Sequence, residues 1–100
     1  MEGQARISPD VLARYAADAT RDVAGVSGLV DDHLHRHRGV RVTEANGSLS
    51  IELHVAVDWG ASLPGVGREL QQRVADYLAR MADARPAAVD VVVDEIGPGS

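Results

Sequence analysis

The sequence predicts an α+β two-layer sandwich in (β)αββαβ order. Two helices pack on one face of a three- to four-stranded, mostly antiparallel sheet. Three observations carry this. Leu49, Ile51, Leu53, Val55, Val57 and Trp59 alternate with Ser50, Glu52, His54, Ala56 and Asp58, the period-2 pattern of a long strand with one apolar and one wet face. Two flanking segments repeat apolar residues at helical spacing instead. Asn46-Gly47, between Val40–Glu44 and Ser48–Trp59, is the strongest short hairpin signal.

The elements follow in order. Residues 1–5 read as a flexible N-terminus, with a short strand around Arg6 and Ile7. Ser8-Pro9-Asp10 starts a helix: serine caps, proline suits the first turn, and aspartate complements the dipole. Leu12, Tyr15, Ala16, Ala19 and Val23 form its buried stripe, and Gly25 ends it. Val26 and Leu29 tuck the chain back onto the core, and residues 30–38 read as a polar loop. The hairpin follows, and Gly60-Ala61-Ser62 breaks its long strand. A second helix runs from Leu63 or Pro64 to Met81 or Ala82, with Leu63, Val66, Leu70, Val74, Tyr77, Leu78 and Met81 as its buried stripe. Pro86 prevents continuation, and Val89, Val91 and Val93 make a last strand with Asp90 outside. Residues 6–96 read as one domain and 97–100 as a flexible tail.

Composition narrows the function. One hundred residues, 45% hydrophobic and 25% charged, describe one globular domain with a single modest core. A net charge of −5 argues against general nucleic-acid binding, which depends on neutralising phosphates. With no cysteine there is no disulfide, thiol nucleophile or zinc–thiolate site. The apolar runs are far short of the roughly 20 residues that cross a bilayer, and Met-Glu-Gly-Gln-Ala-Arg is no signal peptide. The expected location is the cytoplasm.

No catalytic constellation is apparent. Ser8, Ser62, Asp58 and the histidines lack the strand-to-helix elbow of a nucleophilic serine. Gly60–Gly65 precedes a helix but lacks the phosphate-binding Lys-Ser/Thr. His33, His35 and His37 would point one way in an extended chain and could hold a metal. Arg36 and Arg38 oppose this, and a solvated loop that gains charge on acidification is the simpler reading. No cofactor is expected. Gly25-Val26-Ser27-Gly28 has the GxxG spacing of a KH loop, so a nucleic-acid module using it with Arg36, Arg38 and Arg41 is the alternative function.

The ordered set of segments resembles a known family. Ile7-Ser8-Pro9-Asp10-Val11-Leu12 leads into Val23-Ala24-Gly25-Val26-Ser27-Gly28-Leu29. Gly39-Val40-Arg41-Val42 and the long strand closing on Trp59-Gly60 follow. Leu63-Pro64, Val66–Val74 and Val89–Ile96 complete the pattern. Over residues 6–96 the chain is similar to the alkaline shock protein family of bacterial envelope stress-response proteins. The resemblance implies a non-enzymatic scaffold in envelope homeostasis that self-associates as a homo-oligomer. It also implies peripheral association with the inner face of the cell membrane through a membrane-anchored partner, without direct insertion. The chain departs from the family in its histidine-rich stretch and in Gly65 and Gly67, each of which costs a helix interior up to about 1 kcal/mol.

The expected contact surface is the wet face of the sheet. Arg41, Thr43, Glu52, His54, Asp58 and Val92 lie there by parity, beside Ser50, Ala56 and Asp90. Trp59 belongs by register to the core side, where it would close the end of the core, with a partly exposed anchor as the alternative. The exposed side of the second helix (Arg68, Gln72, Arg73, Asp76, Arg80) reads as solvated, with a partner-docking face as the alternative.

Overall fold

A computed structural model describes residues 6–31 and 39–98. The elements are α1 (Pro9–Ala19), β1 (Val26–Leu29), β2 (Val40–Ala45), β3 (Ser48–Val57), α2 (Leu63–Ala82) and β4 (Ala88–Ile96). β3 is the axis of the sheet. β1 and β2 pair antiparallel with successive stretches of it, Val55–Val57 and Ser48–Leu53. β4 pairs with it in parallel, Ser50↔Ala88 through Val57↔Ile96. The sheet is therefore mostly antiparallel, with one parallel ladder closed by the α2 crossover that parallel strands require.

One face of the sheet carries the core. Ile51, Leu53, Val55 and Val57 of β3 are fully buried against Leu12, Ala13, Ala16 and Ala19 of α1 and Val66, Leu70, Val74 and Leu78 of α2. The two helices also meet each other, with Tyr15 and Tyr77 edge to face at 5.9 Å. The helix starts match expectation: Ser8 accepts from Val11 N–H, and Ser62 accepts from Gly65 N–H at 3.2 Å. That second cap secures the turn that Gly65 and Gly67 weaken. α2 ends at Ala82 and is capped by Asp83, whose amide donates to the Ala79 carbonyl and whose left-handed φ of 50° lets the Ala84 amide return to the Leu78 carbonyl.

Several boundaries differ from those the sequence predicts. Arg6–Ser8 form no strand. α1 ends at Ala19, where the Thr20 hydroxyl turns back to the Ala17 carbonyl, and Val23 reaches the core from the following turn. Val26–Leu29 is not a tucked loop but a strand. Leu63 and Met81, assigned to the buried stripe of α2, stand in its first and last turns and are 43% and 44% exposed.

β1 and β2 behave as two halves of one edge strand. The chain leaves β3 after Leu29↔Val55 and returns at Val40↔Leu53, so only His54 separates the two ladders. His54 closes both: its carbonyl accepts from Val30 N–H, and its amide donates to the Gly39 carbonyl, each at 2.8 Å. Gly39 makes this possible. Its φ is +86°, and a Cβ there would lie 2.6 Å from the Val30 carbonyl oxygen.

Candidate interaction surface

The opposite face of the sheet is the candidate site, since both helices pack on the core side. β2 contributes Arg41 and Thr43, aligned with Glu52 and Ser50 of β3. β4 sets Asp90 beside Glu52 and Val92 beside His54. The sequence-predicted residues Arg41, Thr43, Glu52, His54 and Val92 thus share one face.

Its centre is a three-residue cluster. Glu52 and His54, two apart on β3, project from the same side. The His54 ring meets Glu52 Oε2 through Nε2 and Asp94 Oδ2 through Nδ1, both at 2.7 Å. A ring with a carboxylate at each nitrogen donates to both only as the imidazolium. The hydrogen bond to Glu52 is the largest influence on His54 and raises its pKa from the ordinary 6.5; burial opposes it, and the bond and charge of Asp94 reinforce it. The His54 side chain is 14% exposed; its contact with Glu52 is part-buried, and its contact with Asp94 is open to water.

Asp94 was not among the residues the sequence singled out. It shares parity with Asp90 and Val92, which is the one signal available. Its reach depends on a β-bulge: the ladder steps from Val55↔Val93 to Ala56↔Glu95, which leaves Asp94 as the extra residue. A second bulge, between Val26 and Gly28, acts similarly on the other edge. There the intervening Ser27 donates its hydroxyl to Asp58 Oδ1 at 2.9 Å, while the Asp58 amide donates to Gly25. Asp58 is therefore anchored to β1 at the end of the sheet, apart from the central cluster.

Trp59 overturns its expected register. β3 ends at Val57, and Asp58–Ala61 form a turn closed by Ala61 N–H to the Asp58 carbonyl, with Gly60 at φ +88°. This is the geometry of a type II turn, whose third position needs a positive φ. Trp59 at its second position leaves the alternation and stands 70% exposed. It does not close the core. The KH-like geometry is also absent, since Gly25 enters a turn and Val26–Leu29 pairs with β3 rather than joining two helices. His33, His35, His37, Arg36 and Arg38 lie outside the described residues.

Glu52 and Asp94 occupy opposite nitrogens of one ring, so the three groups do not converge on a common ion. Among the described residues no group of three or more His, Cys, Asp or Glu could hold a metal. No described helix is long and apolar enough to cross a membrane.

The fold is a two-layer α+β domain whose sheet has one helix-covered face and one polar face. A profile of the alkaline shock protein 23 family, described by its cell envelope-related function, matches residues 1–98. The chain belongs to this family. It is 30% identical over 102 residues to the uncharacterized protein Spy1535 of Streptococcus pyogenes serotype M6, covering 94% of this chain and 79% of that protein. It is 27% identical over 89 residues to the uncharacterized protein YqhY of Bacillus subtilis strain 168, covering 79% of this chain and 66% of that one. Among solved structures it is similar to a MamM-CTD variant, with TM-score 0.59 and 15% identity over 91% of this chain and 100% of that one. A cadmium form of another MamM CTD variant gives TM-score 0.56 and 16% identity over 88% and 98%. At these identities the likeness is one of fold alone.

Proposed function

We propose that this chain is a non-enzymatic scaffold of the cell envelope, acting by self-association and by binding a membrane-anchored protein. The envelope-related role of its family supports the setting. The carrying observation is the polar sheet face, which no described helix covers and where Arg41, Thr43, Glu52, His54 and Val92 meet. Trp59, 70% exposed beyond the end of β3, adds the kind of aromatic anchor that dominates binding energy at interfaces. On this reading the protein is peripheral at the inner face of the membrane and holds its place through its partner.

The test is an affinity pull-down from the native membrane fraction, with sedimentation of the purified protein beside it. A membrane protein captured by the wild type, and lost with Thr43→Arg or Trp59→Ala, is the expected result. Recovery of no membrane protein, together with a strict monomer in sedimentation, would sink the scaffold reading.

A further inference from the structure

β4 is an open edge: among the described residues it pairs with β3 alone. The direction of its main-chain groups follows from β3. His54 turns its amide and carbonyl toward Val30 and Gly39, on the β1–β2 side. These groups alternate along a strand, so Ile51, Leu53 and Val55 turn theirs toward β4. In a parallel ladder, the residue aligned with an inward-facing partner faces away. Val89, Val91 and Val93 therefore present their main chain to the outside, while Asp90 and Val92 face β3. Gln71 of α2 agrees with this assignment, since its Nε2 reaches the Val89 carbonyl from outside the ladder at 3.1 Å.

The side chains on this edge say what would fit. On the helix side Val89, Val91 and Val93 are only half-buried, although their partners Ile51, Leu53 and Val55 are fully buried. On α2, one turn before the Gln71 that reaches Val89, a Cβ on Gly67 would meet nothing within 4 Å. On the other side β4 carries Asp90 and Asp94, followed by Glu95. An added strand would thus find apolar surface on one face and carboxylates on the other. A second copy of the chain fits poorly. Antiparallel pairing centred on Val92 sets Asp90 opposite Asp94 of the copy, and centring on Val91 brings the two Asp90 carboxylates onto one diagonal. Like charges so placed oppose pairing, on a chain that is already at −5.

The geometry points to the outer edge of β4 as a docking strand for an extended partner segment in which Arg or Lys alternates with apolar residues. The main chain of Val91 and Val93 supplies hydrogen bonds, the half-buried valines take the apolar side chains, and Asp90 with Asp94 takes the cations. Cytoplasmic segments flanking membrane spans are rich in Lys and Arg. The envelope reading thus supplies a source for the segment, but the binding chemistry stands without it.

The test titrates the isotope-labelled protein with acetyl-(Lys-Val)3-amide and with its Glu-Val counterpart. Expected are shifts and slowed exchange at the Val91 and Val93 amides with the Lys peptide only, and weaker binding at about 300 mM than at about 50 mM salt. Asp90→Lys should weaken the Lys peptide about threefold to fivefold. Val91→Pro deletes an outward donor and should weaken it without opening the β3 ladder, which the unchanged Asp90 and Val92 amides would report. Equal binding of both peptides, no shift at about 1 mM peptide, or no effect of Asp90→Lys would overturn the proposal. So would concentration-dependent protection of Val91 and Val93 in the protein alone, which would give the edge to a second copy. Loss of peptide binding with membrane capture intact would remove this inference and leave the scaffold reading standing.

Discussion

His54 joins three strands from one position. Its main chain closes the two edge ladders, and its ring ties β3 to the β4 bulge. Because its pKa is raised in the fold, its paired charge adds stability that is complete below the ordinary value near 6.5. That stability fades as pH rises through the raised value. Thermal melts from pH 6 to 9 should show a decline that His54→Gln flattens. In an NMR titration, Glu52→Gln and Asp94→Asn should each lower the His54 midpoint, since both carboxylates raise it. An unchanged midpoint in either variant would remove that carboxylate from the cluster. Trp59 makes the opposite kind of prediction. With 70% of its surface in water, Trp59→Ala should change stability by no more than about 0.5 kcal/mol, read by urea unfolding. Parity alone placed Glu52, His54 and Val92 on a common face, and it put Asp94 there too without showing that Asp94 meets the His54 ring. Asp94 enters through a bulge, and bulges leave no mark on the alternation of a short strand.

At the scale of elements, two glycines should respond oppositely to alanine. Gly39 has a left-handed φ, and a Cβ there would press on the Val30 carbonyl at 2.6 Å. Gly39→Ala should destabilise by about 2–3 kcal/mol. Gly67 lies within α2 with open space where a Cβ would stand, so Gly67→Ala should stabilise by about 0.5–1 kcal/mol. Equilibrium urea unfolding with an unchanged m-value would check both. Elements with strong periodicity were legible: β3, α2, the Asn46-Gly47 hairpin and β4 stand where alternation and helical spacing put them. β1 was not legible, because four residues that follow Gly25 and include Gly28 show no period, and only pairing with β3 makes Val26–Leu29 a strand. The early end of α1 was equally hidden. Alanine-rich sequence tolerates a helix to Val23, but Thr20 and the left-handed Asp22 end it sooner.

At the scale of the molecule, one core between one sheet face and two helices carries the fold. Leu70 is fully buried at its centre, so Leu70→Ala should cost about 2–5 kcal/mol. In a domain of this size that is a large share of the total and should lower the melting temperature by roughly 10 °C or more. The net charge of −5 predicts no salt-sensitive micromolar binding of labelled RNA or DNA, and such binding would revive the GxxG reading. The fold class was legible because burial on one face only is written into the alternation of β3. The parallel partner of β3 was not, since periodicity says nothing about strand direction. The shared edge of β1 and β2 has a consequence for change over time and for engineering. Val30 and Gly39 are held to the two sides of a single residue, so the span between them can lengthen or shorten without moving either ladder. Loop closure grows more costly by only about 0.6 kcal/mol per doubling. The span between Val30 and Gly39, with both of those residues kept, is therefore where this fold should accept a new sequence, an affinity label or a reporter while the sheet keeps its register.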